Sequence, residues 1–176
     1  MRVIGGEFRS RPLKSLPGLD VRPTPDRLRE ALFNVLAPTI AGVVFADLYA
    51  GTGAVGIEAL SRGASRAIFA EQNRAAVGVL RQNLKSLELE GRAEVRQARA
   101  TALIGKIDAD IVFLDPPYAL QGEYETALTK LGARPPKLVI AQHDVRLKLA
   151  PAYGALHQTR VLKQGDNCLS FYSATS

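Results

Sequence analysis

Between residues 43 and 142 the chain alternates short apolar runs with segments of helical spacing, and this rhythm limits its fold more than any other feature. Residues 43–48, 66–71, 93–97, 110–115 and 137–142 read as strands. Residues 53–62, 75–87, 100–104 and 124–131 read as helices. The run Ile111-Val112-Phe113-Leu114 has no polar alternation, as expected of a strand covered on both faces. Repeated strand–helix units of this kind predict an α/β protein, a mostly parallel sheet with helices on both sides. In 75–87, Val77, Leu80, Leu84 and Leu87 share one helical face and Asn73 is the expected cap.

The two ends break the rhythm. Residues 156–162 and 168–172 flank Lys163-Gln164-Gly165-Asp166-Asn167, which predicts a terminal antiparallel hairpin. At the start, 2–4 and 7–9 around Gly5-Gly6 predict a short β-hairpin. Pro17, Gly18, Pro23 and Pro25 make 15–25 an extended connector. Thr24 is expected to cap a helix opening at Pro25, with Leu28, Leu32, Val35 and Leu36 inward and Pro38 ending it. A chain of 176 residues is read as one domain, 25–176, preceded by a basic hairpin and connector, 1–24.

Charge narrows the partners. Lys and Arg number 23 against 17 Asp and Glu, a net charge of +6, and Arg2, Arg9, Arg11 and Lys14 precede Arg22, Arg27 and Arg29 near one end. Cations at phosphates release counterions, so the pattern suits nucleic acid, although a solvated basic face would look the same. The apolar run 40–46 is far short of the roughly 20 residues that span a bilayer. The opening Met-Arg-Val-Ile-Gly-Gly carries no secretory apolar run. A lone Cys168 excludes an internal disulfide, and His143 and His157 are too sparse for a metal motif. A cytoplasmic, membrane-free, metal-free protein is expected.

Gly51-Thr52-Gly53-Ala54-Val55-Gly56 follows a strand and opens a helix, and Glu71 ends the next strand. This spacing fits G-x-G-x-x-G with an acid for a ribose, as in dinucleotide sites. A tight strand-to-helix turn without a ligand fits as well. Asp47 shifts the balance, because a carboxylate at the mouth of the first strand repels a pyrophosphate and attracts an ammonium. S-adenosylmethionine carries an ammonium, a sulfonium and a ribose but no phosphate.

Asp115-Pro116-Pro117-Tyr118 ends the fourth strand, where ligands of open α/β sheets bind. Two prolines enforce a rigid extended exit. The Asp115 carboxylate and the Pro116 carbonyl then offer two acceptors beside an aromatic ring. Two acceptors on an exocyclic amine favour a pyramidal nitrogen and stabilise the charge that develops on methyl transfer. Tyr118 can stack on the base. A structural turn with a capping Asp is the plain alternative.

Arg2-Val-Ile-Gly-Gly, the segment from Arg22 to Asn34, Asp47-Leu-Tyr-Ala-Gly-Thr-Gly through Gly63, and Asp115-Pro-Pro-Tyr together resemble the RsmD-like family. The resemblance spans nearly the whole chain. It implies the class I (Rossmann-like) methyltransferase fold, a mostly parallel seven-stranded sheet with a reversed last strand. It implies S-adenosyl-L-methionine as cofactor and methylation of the N2 amine of one guanine in small-subunit (16S) ribosomal RNA. Asp115, Pro116, Pro117 and Tyr118 would be catalytic. Asp47, Tyr49, Gly51, Gly53, Glu71, Arg99 and Ala100 would hold the cofactor. Arg2, Arg9, Arg11, Arg22, Thr24 and Arg27 would contact RNA, free or in an assembling small subunit, with the enzyme a monomer. Arg99 and Gln142 stand where the family often carries an acidic residue. An adenine-N6 or cytosine-N4 methyltransferase, and a dinucleotide-binding regulatory module, remain open readings.

Overall fold

The computed structural model describes residues 1–18 and 24–174. Helices α1 (Asp26–Leu36), α2 (Ala54–Ser61), α3 (Arg74–Ser86), α4 (Ala100–Leu103) and α5 (Glu123–Ala133) alternate with strands β1 (Val44–Asp47), β2 (Arg66–Ala70), β3 (Ala93–Arg96), β4 (Ile111–Leu114) and β5 (Leu138–Asp144). The chain closes with β6 (Ala152–Tyr153), β7 (Leu156–Gln164) and β8 (Asn167–Ala174). The sheet runs β3-β2-β1-β4-β5-β8-β7-β6. β1 to β5 are parallel, and β8 inserts antiparallel between β5 and β7.

Adjacent strand residues face opposite sides, which explains the unbroken apolar runs. Phe45, Phe69, Phe113 and Ile140 pack with Leu28, Phe33, Ile57 and Leu80 from α1, α2 and α3. Their neighbours Ala46, Val112, Val139 and Ala141 pack with Leu103 and Leu128 from α4 and α5. The predicted cap of α3 is present, with the Ala76 N–H donating to Asn73 Oδ1 at 2.9 Å.

The sheet has eight strands rather than seven. The additional one, β6, pairs only Ala152 and Tyr153 with His157 and Leu156 across Gly154, too short for periodicity to reveal. It is held by α5, where a side chain at Gly132 would sit 1.9 Å from the Tyr153 carbonyl oxygen.

The start of the chain departs further. Gly5-Gly6 does not close a tight hairpin. Arg2 instead bridges Pro12, the Val3 N–H donates to the Arg11 carbonyl at 3.0 Å, and the loop between them lies on α2. The stronger acceptor is a buried carboxylate: the Ile4 and Gly5 N–H groups each donate to Glu58 at 2.9 Å. Gly6 has φ +81°, and a Cβ there would meet the Ser61 carbonyl oxygen at 2.0 Å, so this glycine serves close approach to a helix. Helix α1 begins one residue later than expected. Pro25 occupies its cap position without a side-chain cap, which leaves Thr24 outside the reach of the first turn.

Arg29 is fully buried against the same carboxylate, with Nε 3.7 Å from Glu58 Oε1 and Nη2 donating to the Arg2 carbonyl at 2.7 Å. Arg62 adds its Nε at 2.8 Å. Removing one partner of a buried pair strands the other. Glu58→Ala is therefore expected to lower the unfolding free energy by about 3–5 kcal/mol in urea titration. A loss below about 1 kcal/mol, as for an exposed pair, would refute the clamp. Among the described residues no helix is long and apolar enough to cross a membrane.

Candidate active site

The carboxyl ends of β1, β2, β4 and β5 open on one cleft of about 1280 Å³. That is ample for a nucleoside-sized ligand together with a second planar group. β1 delivers Asp47 to its floor, 2 % exposed, with the Gly56 N–H of α2 donating to Oδ2 at 3.0 Å. The chain then turns through Gly51 (φ +57°) and Gly53 (φ +96°), conformations that favour glycine. A Cβ at Gly53 would also lie 2.2 Å from Leu80 Cδ1. Gly51 lines the cleft, and Gly53 shapes the loop from behind.

Glu71, at the end of β2, ties this loop to the next. Its Oε1 accepts from the Gly51 N–H at 2.8 Å and its Oε2 from the Asn73 N–H at 2.9 Å. Each carboxylate oxygen keeps a second lone pair for the cleft. Tyr49 donates its hydroxyl to Glu123 Oε1 at 3.0 Å and so fixes α5 to the rim, its phenol pushed upward by burial. Arg99 and Ala100 line the same end, Arg99 exposed and Ala100 buried at the start of α4.

Asp115 follows β4 beside Asp47. Both carboxyls are pushed up to about 7, chiefly by burial. The Asp47 charge adds to the rise at Asp115, and the Gly56 N–H opposes it at Asp47. Pro116 is buried, and the Pro117 carbonyl accepts from the Leu120 N–H at 2.8 Å in a 3₁₀ turn, Tyr118–Leu120. The Tyr118 ring, 60 % exposed, stands at the mouth. Its hydroxyl donates to Asp144 Oδ2 and accepts from Arg146 Nη2, each at 3.1 Å. Arg146 also holds Asp144 well below the usual carboxylate range. Tyr124, behind Asp115, donates to the Gln142 carbonyl.

The expected RNA contacts divide. Thr24 lines the cleft. Arg2, Arg9, Arg11 and Arg27 are exposed but outside its lining, with Arg11 donating to the Ser86 carbonyl at 3.1 Å. Arg22 lies outside the described residues. Arg29, the other cation of that cluster, is the buried clamp and faces no ligand. His143 is a residue of β5, one past the strand end that periodicity marks. It is buried, with Nε2 2.7 Å from Ser170 Oγ, and burial pushes its pKa down. Sequence reasoning missed Asn83, whose Oδ1 accepts from the Lys14 N–H while Nδ2 donates to the Thr52 carbonyl at 2.9 Å. Helical spacing alone marks it only as a polar residue on an inward face. Among the described residues no cluster of three His, Cys, Asp or Glu is set to hold a metal.

Two neighbouring carboxyls, Asp47 buried and Asp115 half-buried, resist joint ionisation, and a cation near both relieves them. Glu71 and Glu123 add acceptors and further negative charge. This acceptor set therefore fits a ligand bearing ammonium or sulfonium and a ribose, and opposes a pyrophosphate.

The sequence profile of the family described as "Conserved hypothetical protein 95" matches residues 1–173. The chain is 38 % identical, over 93 % of its length and 86 % of the relative's, to "Ribosomal RNA small subunit methyltransferase D" of Escherichia coli (strain K12). The solved "Putative methyltransferase yhhF" from Escherichia coli superposes with a TM-score of 0.86 at 34 % identity, covering 99 % of this chain and 97 % of that one. An RNA methyltransferase from Salinibacter ruber, solved in complex with S-adenosyl-L-homocysteine, shares the fold at a TM-score of 0.68 and 19 % identity, over 87 % of this chain and 94 % of its own.

Proposed function

We propose, from the premise that this chain belongs to the conserved hypothetical protein 95 family, the RsmD-like family, that it methylates the N2 amine of a guanine in small-subunit ribosomal RNA. It is an RNA methyltransferase of the small-subunit methyltransferase D type. Its cofactor is S-adenosyl-L-methionine, which supplies a methyl group already activated on a sulfonium.

The chain's part is positioning and electrostatics. Asp47 pairs with the ammonium, and Glu71, with its lone pairs held in place by the Gly51 and Asn73 N–H groups, accepts from the ribose hydroxyls. Tyr49, Gly51, Arg99 and Ala100 wall the carrier. Asp115 and the Pro116 carbonyl take the two N–H protons of the target amine, and Tyr118 stacks on the base. The target nitrogen would take the methyl as the carbon–sulfur bond breaks and the sulfonium becomes a neutral thioether, and the ionised Asp115 would stabilise the positive charge that develops on the nitrogen. The surplus proton leaves to Asp115 or to water. Arg2, Arg9, Arg11, Arg22, Thr24 and Arg27 hold the RNA, with 1–24 as the basic rim of a domain 25–176. One chain supplies every group named, so a monomer suffices. A ribosomal substrate puts its work in the cytoplasm.

One observation carries this reading: Asp115 on its rigid Pro-Pro corner shares a cleft with the buried Asp47. The test is transfer of labelled methyl from S-adenosylmethionine to small-subunit particles, then mass mapping of nucleosides. N2-methylguanosine is expected. N6-methyladenosine or N4-methylcytidine would replace the assignment, and no transfer to any RNA would overturn it. The dinucleotide reading is disfavoured by the acidic floor, and calorimetry with NAD is expected to show no binding.

A further inference from the structure

Gln142 is a polar residue in an apolar place. It is 6 % exposed, lies near the carboxyl end of β5 and lines the cleft, and its Oε1 has no hydrogen-bond partner among the described residues. A buried acceptor left unpaired carries a desolvation penalty that a ligand donor would remove.

Its position is set by the sheet. Gln142 follows Ile140 by two residues, as Asp115 follows Phe113 and Asp47 follows Phe45, and those three apolar residues belong to one face of the sheet. β4 pairs with β5 through Leu114 and Ala141, so Asp115 and Gln142 are the next residues along neighbouring strands. Asp115 and Gln142 thus sit side by side at the ends of β4 and β5, with Asp47 two residues lower on β1, opposite Phe113. The pair suits a planar edge lying across it, with one end at Asp115 and the rest at Gln142.

We propose that Gln142 is a specificity-determining residue that reads the Watson–Crick edge of the target base. This rests on the guanine-N2 reading above. Along guanine that edge runs from the N2 amine to the N1–H donor and then to the O6 acceptor. With N2 held at Asp115, the N1–H donates to the amide oxygen and O6 accepts from the amide NH₂. Either rotamer of the amide brings one acceptor and one donor to the cleft. Adenine held by N6 would present a bare N1 acceptor and then a C–H. Cytosine held by N4 would present two acceptors in succession. Only guanine satisfies both halves of the amide.

The experiment uses the full-length enzyme and small subunits reconstituted with guanine or 2-aminopurine at the mapped target position. 2-Aminopurine keeps the amine for Asp115 but lacks both the N1–H and O6. The wild-type enzyme is expected to prefer guanine by roughly 10- to 100-fold in kcat/KM, the range of one bidentate base contact. Q142M, close in volume but without the amide, is expected to bring that preference within about threefold while S-adenosylhomocysteine binds as in wild type. Q142L, which likewise lacks both amide groups, is expected to bring the preference within about threefold and stands in if Q142M fails to fold. A preference unchanged in the folded variants would overturn the proposal. Transfer by wild type to neither subunit would instead sink the guanine reading itself.

Discussion

Asp115→Ala is expected to lower kcat on small-subunit particles by about 10²- to 10³-fold, the cost of removing one preorganised group that stabilises developing charge. Binding of S-adenosylhomocysteine, measured by calorimetry, should stay within about threefold, because the contacts to the carrier come from other strands. The measurement that discriminates is the pH profile. In the free enzyme Asp115 is raised to about 7 by burial and by the charge on Asp47. The ionised form is the one that accepts the amine protons, so kcat/KM should climb as pH rises through 7 and then level. When the carrier's ammonium neutralises Asp47, one cause of that rise is removed. The limb in kcat should therefore lie at lower pH than the limb in kcat/KM. A variant within about tenfold of wild-type turnover would remove Asp115 from the chemistry.

Asp47→Asn should separate stability from function. The amide keeps an acceptor for the Gly56 N–H but discards a fully buried charge. Asp47 titrates near 7 in the folded chain against 3.8 for an ordinary aspartate. Between those values the folded state holds the extra proton, so the site's contribution to stability is present at low pH and is lost as pH rises through 7. Removing the charge should therefore stabilise the ligand-free protein at pH 8 by on the order of 2–4 kcal/mol, and leave it almost unchanged at pH 4. S-adenosylhomocysteine affinity should meanwhile fall at least about 100-fold, since the ammonium loses its partner in a low-dielectric floor. A variant that melts lower than wild type at pH 8, or binds the carrier normally, would contradict the assignment.

The sheet and its helices were legible because each buried strand is an uninterrupted apolar run and each helix has an inward stripe. The glycine loop and the Asp-Pro-Pro-Tyr corner were legible because their backbones need those residues. What escaped were side chains whose meaning depends on distant contacts. Gly5-Gly6 looks like a hairpin turn until Glu58, fifty-three residues away, is seen to hold the Gly5 N–H. Arg29 reads as one more surface cation until α1 turns it inward. Asn83, Glu123 and the two-residue β6 have no local signature at all. Gln142 reads only as a missing acid, and its significance appears when β4 and β5 set it next to Asp115.

The early segment of the chain is fastened twice, to α2 through Glu58 and Ser61 and to α3 through Asn83. Its exposed arginines are therefore presented at preset spacings, like pins on a template. The backbone beneath them gives up little freedom when a partner arrives, so docking carries a small ordering cost. In the RNA-holding role proposed for these arginines, such a template would reward phosphates already held in register by a folded RNA surface over a strand that must itself be ordered.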